Sequence, residues 1–142
     1  MNKKKFYLWL SLSVLWVGFI IGQSAMPASV SSKESLGLLA RLQELFPWLT
    51  HDLLRKLAHF GEFGILGFFL TGTYWNRGKF KFLQPVRAAF FAAFCDETLQ
   101  LFIPGRSGQI KDVWIDFAGA LCGCLFLWLI LKLTKNNNKR LL

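Results

Sequence analysis

Apolar positions along this chain gather into four long blocks: Phe6–Gly22, Leu57–Tyr74, Val86–Ile103 and Val113–Leu133. A helix rises about 1.5 Å per residue, so about 20 residues cross a hydrocarbon core of about 30 Å. Each block approaches that length and predicts a membrane-spanning helix. The first and last carry almost no charge. The middle two carry His59 with Glu62 and Asp96 with Glu97, so they also fit buried helices of a soluble domain. The apolar stretches Phe60–Leu70 and Val86–Phe94 favour the membrane reading.

The breaks between blocks differ in character. In the long segment Gln23–Leu54, Pro27 should end the first helix, and the Ser-rich stretch Ser29 to Ser35 predicts a turn. From Leu36 to Trp48, the residues Leu36, Leu39, Leu42, Leu45 and Phe46 recur at helical spacing, with Arg41 and Glu44 between them. That pattern predicts a short amphipathic helix lying at the outer membrane interface, as a lid over the bundle. Trp75–Pro85 is a short basic turn, and Pro104–Lys111 a tight turn containing Gly105 and Gly108. The expected fold is all-α: a single domain over residues 1–142, built as a bundle of four transmembrane helices with a short external amphipathic helix.

Composition sharpens this picture. Of 142 residues, 54% are hydrophobic and only 18% charged, too few for the polar coat of a soluble domain this small. Lys3, Lys4 and Lys5 ahead of Phe6–Gly22 resemble the start of a signal peptide. Trp9 and Trp16 make the run bulky, however, and it exceeds the usual signal core of about 7–15 residues, so a retained helix is expected. Cys95, Cys122 and Cys124 all fall inside predicted helices, which argues for buried small residues and against a disulfide framework.

The net charge of +9 is distributed unevenly. With both termini placed in the cytoplasm, the inner segments hold Lys3, Lys4, Lys5, Arg77, Lys79, Lys81, Arg87, Lys132, Lys135, Lys139 and Arg140, and no acid. All eight acids fall in the other half. The positive-inside rule therefore predicts a multi-pass protein of the cell membrane with N- and C-termini cytoplasmic. No nucleic-acid reader element accompanies the basic residues, which excludes nucleic acid as the expected partner.

The polar residues inside the blocks carry the candidate chemistry. Arg55, His59 and Glu62 lie at i, i+4 and i+7, one stripe of a helix. Asp96 and Gln100 share a face, with Glu97 beside it, and Asp112 and Asp116 share a face with Gly119 and Gly123. The glycine pair permits close helix contact. With the second and fourth helices running inward and the third outward, all three sets meet near the external end, where the loop residue Arg106 also falls. Ionisable groups in lipid are costly and should turn toward one another or a cavity. His59, Glu62, Asp96 and Glu97 are the candidates for acid–base work. Arg55, Lys56, Gln100, Arg106, Asp112 and Asp116 are the candidates for ligand contact, the arginines suiting a phosphate or carboxylate. His59 and Glu62 also fit a metal site completed by Asp96 or Asp112. Spacing alone does not separate these chemistries, and no cofactor is specified. A purely structural ion-pair network is the competing reading.

Three ordered blocks resemble the VanZ-like family. Arg55-Lys56-Leu57-Ala58-His59-Phe60-Gly61-Glu62-Phe63 matches its RK-x-x-H-x-x-E-[YF] segment, and Asp96-Glu97 through Gln100 and Phe102 to Arg106 matches DE-x-x-Q-x-F-x-x-x-R. Asp112, Asp116, Gly119 and Gly123 match D-x-x-x-[ND]-x-x-G-x-x-x-G, with Asp116 where Asn is commoner. Gln23-Ser24-Ala25-Met26-Pro27 is similar, imperfectly, to the family's Ser-Gln-Pro motif. The resemblance implies a small bacterial membrane protein with a cell-envelope role, in a family whose named member is associated with teicoplanin resistance. Two functions follow as expectations. One is a binding protein that lowers susceptibility to teicoplanin-type lipoglycopeptides by holding a lipid-linked or acylated ligand at the outer leaflet. The other is a membrane enzyme acting on a phosphate-bearing or acylated envelope lipid. Both make a membrane lipid or lipid-linked envelope molecule the partner.

Overall fold

A computed structural model describes the backbone of residues 2–140 and the side chains of residues 2–136. Lys139 and Arg140, counted above among the inner basic residues, carry side chains outside that range. The fold is all-α: α1 (Lys3–Ser24), α2 (Ala28–Gln43), α3 (His51–Arg77), α4 (Leu83–Gln100) and α5 (Ile110–Arg140).

Helix ends depart from the apolar blocks for identifiable reasons. α3 begins at His51 rather than Leu57, because Thr50 caps it, its side-chain oxygen accepting from the Leu53 amide at 3.3 Å. Apolar content marks only the part of α3 beyond these polar first turns. α4 ends at Gln100 rather than Ile103. Ile103 precedes Pro104, which disfavours helical backbone there, and residues 101–103 wind into tight turns to the carbonyls of Thr98, Leu99 and Gln100. α2 starts at Ala28, directly after Pro27, so the Ser-rich stretch expected to be a turn is helical. The Ser35 hydroxyl is satisfied within that helix by the Ser31 carbonyl at 2.8 Å. α2 also stops at Gln43, short of the expected Trp48.

α3 and α5 form the spine. They run parallel, and the contacts Arg55–Asp112, His59–Asp116 and Gly67–Cys124 each span 57 residues. Gly67 lies against the Ala120 carbonyl, Gly119 against the Phe60 carbonyl and Gly123 against the Gly64 carbonyl. A Cβ at any of these three would collide with backbone, so the helices touch main chain to main chain. α1 packs antiparallel to α3: Ser13 meets Thr73 at 3.0 Å, and the Trp16 indole donates to the Glu62 carbonyl at 2.8 Å. The Trp9 ring fills the space a side chain at Gly72 would need. α4 brings its C-terminal end to that of α1, with Gln100 Nε2 3.5 Å from Ser24 Oγ.

Burial differs from that of a soluble bundle: beside an apolar core around Ile20, Phe63, Leu66 and Ala93, polar and charged groups are also enclosed. The interior holds His59, Asp96, Glu97, Gln100, Asp112 and Asp116, while Leu15, Phe91, Trp114 and Phe126 stand exposed on the outside. An apolar exterior of this extent suits lipid rather than water. α1 and the stretch Ile110–Asn136 of α5 are each long and apolar enough to cross a membrane. The protein is thus membrane-associated through apolar helices. The cysteines correct one expectation: Cys124 is buried, its thiol donating to the Gly67 carbonyl at 3.4 Å, but Cys95 and Cys122 lie exposed on the outer, apolar surface.

Candidate functional site

The polar stripes meet where the C-terminal ends of α1 and α4 adjoin the N-terminal ends of α3 and α5. Because α3 and α5 are parallel and glycine brings their backbones together, residues four apart on one helix face residues four apart on the other. Arg55 Nη2 donates to Asp112 Oδ2 at 3.0 Å, and one turn deeper His59 Nδ1 lies 3.1 Å from Asp116 Oδ1. Asp112 and Asp116 are buried, whereas Arg55 keeps an exposed edge.

α4 supplies the third wall. Gln100 Nε2 donates to Asp96 Oδ2 at 3.0 Å and to Glu97 Oε1 at 3.2 Å, fixing both carboxyl groups from the next turn of their own helix. The Gln109 backbone N–H donates to Glu97 Oε2 at 2.9 Å, so the third loop folds over the end of α4. Gly108 is obligatory in that approach, since a Cβ there would strike the Glu97 carbonyl. One ligand-type atom from each of His59, Asp96, Glu97 and Asp116 lies within 4.8 Å of the others, and these four are the described residues placed to hold a metal.

Arg106 bridges backbones rather than carboxylates. Its Nε donates to the Met26 carbonyl at 3.1 Å and its Nη2 to the Gln23 carbonyl at 2.9 Å, closing the turn after α1. Burial, followed by repulsion from Arg55, lowers its pKa from the ordinary arginine value, while Asp96, Glu97 and Glu62 act oppositely. An arginine nonetheless stays cationic. Lys56 is set apart from the site: it pairs with Asp52 on the exposed side of α3.

Two cavities adjoin the cluster. A polar cavity of about 410 Å³ is roofed by α2 and floored by His59 and Glu62, with Arg55 and Arg106 on its walls. A smaller, apolar one of about 140 Å³ lies between α1, α3 and α4, lined by Val17, Ile21, Phe63 and Leu99, and reaches Asp96. The larger cavity also contains residues that sequence reasoning missed. Ser35 Oγ lies 2.7 Å from His51 Nε2, tying α2 to the start of α3. Ser24, beside Gln100, is another. The only sequence signal for His51 was its place just after the capping residue Thr50.

Comparison with known proteins closes the assignment. No curated protein and no solved structure matches the chain. Residues 9–132 match the VanZ/LLP1 family profile, a span that contains every residue of the buried His and carboxylate cluster. The chain belongs to the VanZ/LLP1 family.

Proposed function

We propose that this protein is a membrane enzyme acting on a phosphate-bearing or acylated envelope lipid. The observation that carries the reading is the position of the cluster between two unlike cavities, one polar and about 410 Å³, one apolar and about 140 Å³. An amphiphile bound across them has its headgroup beside Arg55 and Arg106 and part of its chain among Val17, Ile21, Phe63 and Leu99. Its reacting linkage then falls near His59, Glu62 and Asp96. Arginines suit an anionic headgroup, and an imidazole with neighbouring carboxylates suits proton transfer. In a hydrolysis, water oxygen bonds to phosphorus or to the acyl carbon, and the bond from that atom to the leaving oxygen breaks. His59 or Glu62 takes its proton and returns one to the leaving oxygen.

In the membrane, α1, α3, α4 and α5 cross the bilayer with both termini cytoplasmic, and α2 lies at the outer interface. The basic residues of the two ends and of the α3–α4 loop support this orientation, as do the exposed Leu36, Leu38 and Leu45 of the α2 region. The site then opens toward the outer leaflet.

The test is turnover by purified protein in lipid nanodiscs, offered lipid phosphates, lipid diphosphates and acyl lipids, with released phosphate and fatty acid measured. Turnover that disappears in Glu62→Gln and Asp96→Asn, in protein still folded by circular dichroism, supports the enzyme. Saturable binding without turnover of any lipid refutes it and favours the second reading, a binding protein for a lipid-linked or acylated ligand. The exposed apolar side chain of Leu38, on the wall of the larger cavity, supports that alternative as a seat for an acyl chain.

A further inference from the structure

We propose that His59, Asp96, Glu97 and Asp116 form a binding site for one divalent metal ion, of the Mn²⁺, Fe²⁺ or Zn²⁺ type, that ties α3, α4 and α5 together. The donors come from three helices yet lie within 4.8 Å of one another. An ion with donor distances of about 2.0–2.4 Å separates neighbouring donors by about 3 Å and opposite ones by about 4–5 Å. The cluster has that size.

Charge and hydrogen bonding point the same way. Asp96 and Asp116 are 4% and 0% exposed, and Asp96 Oδ1 and Asp116 Oδ2 are buried without a hydrogen-bond partner. Each belongs to a carboxyl group that contributes to the cluster, and a native structure seldom leaves such an atom unanswered. The neighbouring guanidiniums are engaged elsewhere: Arg55 with Asp112, Arg106 with the carbonyls of Gln23 and Met26. Among the described residues no lysine or arginine forms an ion pair with Asp96, Glu97 or Glu62. Several carboxylates packed this closely repel one another, and a dication relieves that repulsion.

The surrounding bonds resemble the support that metal ligands receive. Gln100 holds one oxygen of Asp96 and one of Glu97, the Gln109 amide holds the other oxygen of Glu97, and Asp116 orients the His59 ring. Three carboxylates with one imidazole disfavour thiophilic ions, and the imidazole disfavours Mg²⁺ and Ca²⁺. The binding site stands on geometry alone. Its chemical role rests on the enzymatic reading above: a bound ion would supply Lewis acidity to a phosphoryl or acyl oxygen and to the attacking water, and Glu62 would receive the proton.

The experiment uses the full chain in mild detergent, stripped with a chelator, dialysed, and titrated with Mn²⁺ followed by electron paramagnetic resonance, and separately with Zn²⁺ by calorimetry. We expect one ion per chain, a higher Tm for the wild-type protein with ion than without, and a Kd raised about 10-fold or more in Asp96→Asn and in Asp116→Asn. Glu44→Gln, an exposed acid outside the cluster, should bind as wild type. Absence of saturable binding by the wild-type protein would overturn the site, as would unchanged affinity in both Asp variants. The Tm measurement on wild type keeps the test decisive if a variant fails to fold. Metal binding without lipid turnover supports the site and removes the enzymatic reading. Full turnover by stripped protein overturns the metal's role and leaves that reading intact.

Discussion

Replacing Gly67 by Ala adds one methyl group at one of the three places where α3 and α5 meet backbone to backbone. The new Cβ meets the oxygen, carbon and Cα of Ala120, all backbone atoms that have no rotamer with which to move away. Carbon needs about 3.3 Å from a carbonyl oxygen, so α3 and α5 must separate by on the order of 1 Å. The same displacement lengthens Arg55–Asp112 and His59–Asp116, now 3.0 and 3.1 Å, beyond good hydrogen-bond range. Overpacking costs about 1–3 kcal/mol, and the strained pairs add to it. Helix propensity works in the opposite direction, by about 1 kcal/mol in favour of Ala. Gly61→Ala supplies the control: it lies in the same helix, and a Cβ there has nothing within 4 Å. We expect Gly61→Ala to be neutral or slightly stabilising and Gly67→Ala to lose about 1–3 kcal/mol, a difference of about 1–4 kcal/mol between them. Unfolding in mixed detergent, followed by tryptophan fluorescence, measures both. Equal shifts for the two variants would refute direct backbone contact between α3 and α5.

Arg55→Ala strands the buried Asp112 carboxylate and should cost about 2–4 kcal/mol, with much of that recovered in the Arg55→Met/Asp112→Leu double variant; if the double variant is no more stable than the single one in the same unfolding assay, the pair is not the source of the loss. For topology, a reporter inserted near Ser31 should read external and one fused after Lys139 cytoplasmic, and a cytoplasmic signal at Ser31 would put the site on the wrong face. On the binding-protein reading, overexpression should raise the inhibitory concentration of acylated teicoplanin more than that of vancomycin, which lacks the acyl chain. An equal shift for both would point instead to a general envelope change.

Much of the site was legible because helical periodicity survives tertiary packing. Arg55 with His59, and Asp112 with Asp116, are each four apart, and a parallel pair of helices needs no more than that to align them. Gly119 and Gly123 announced a close contact, although their α3 counterparts Gly64 and Gly67 went unread inside an apolar run. Lys56 shows where adjacency misleads: one residue is about 100° of helix, enough to turn it away from Arg55's partner toward Asp52. The contact of Ser35 with His51 joins two helices through residues that follow no period, and only the fold brings them together. The extent of α2 was missed because a Ser-rich stretch without apolar recurrence reads as a turn, whereas Ser35 supports the helix by bonding back to Ser31. Exposed Cys95 and Cys122 reflect a general difficulty: in lipid, an apolar-looking position tells little about whether it faces inward or outward.

The offset of 57 residues between α3 and α5 also has a meaning during synthesis. At about 5–20 residues per second, Asp112 leaves the ribosome roughly 3–11 s after Arg55. Throughout that interval α3 exists with Arg55, His59 and Glu62 but without the acids of α5. Such a helix is a poor candidate for release into lipid on its own, since its polar stripe has no answer there. On the proposed topology, delivery to the bilayer is therefore not strictly helix by helix. If α3 crosses the bilayer as proposed, it is sheltered by the insertion machinery until α5 has been made, and a nascent chain halted after α4 should still cross-link to that machinery.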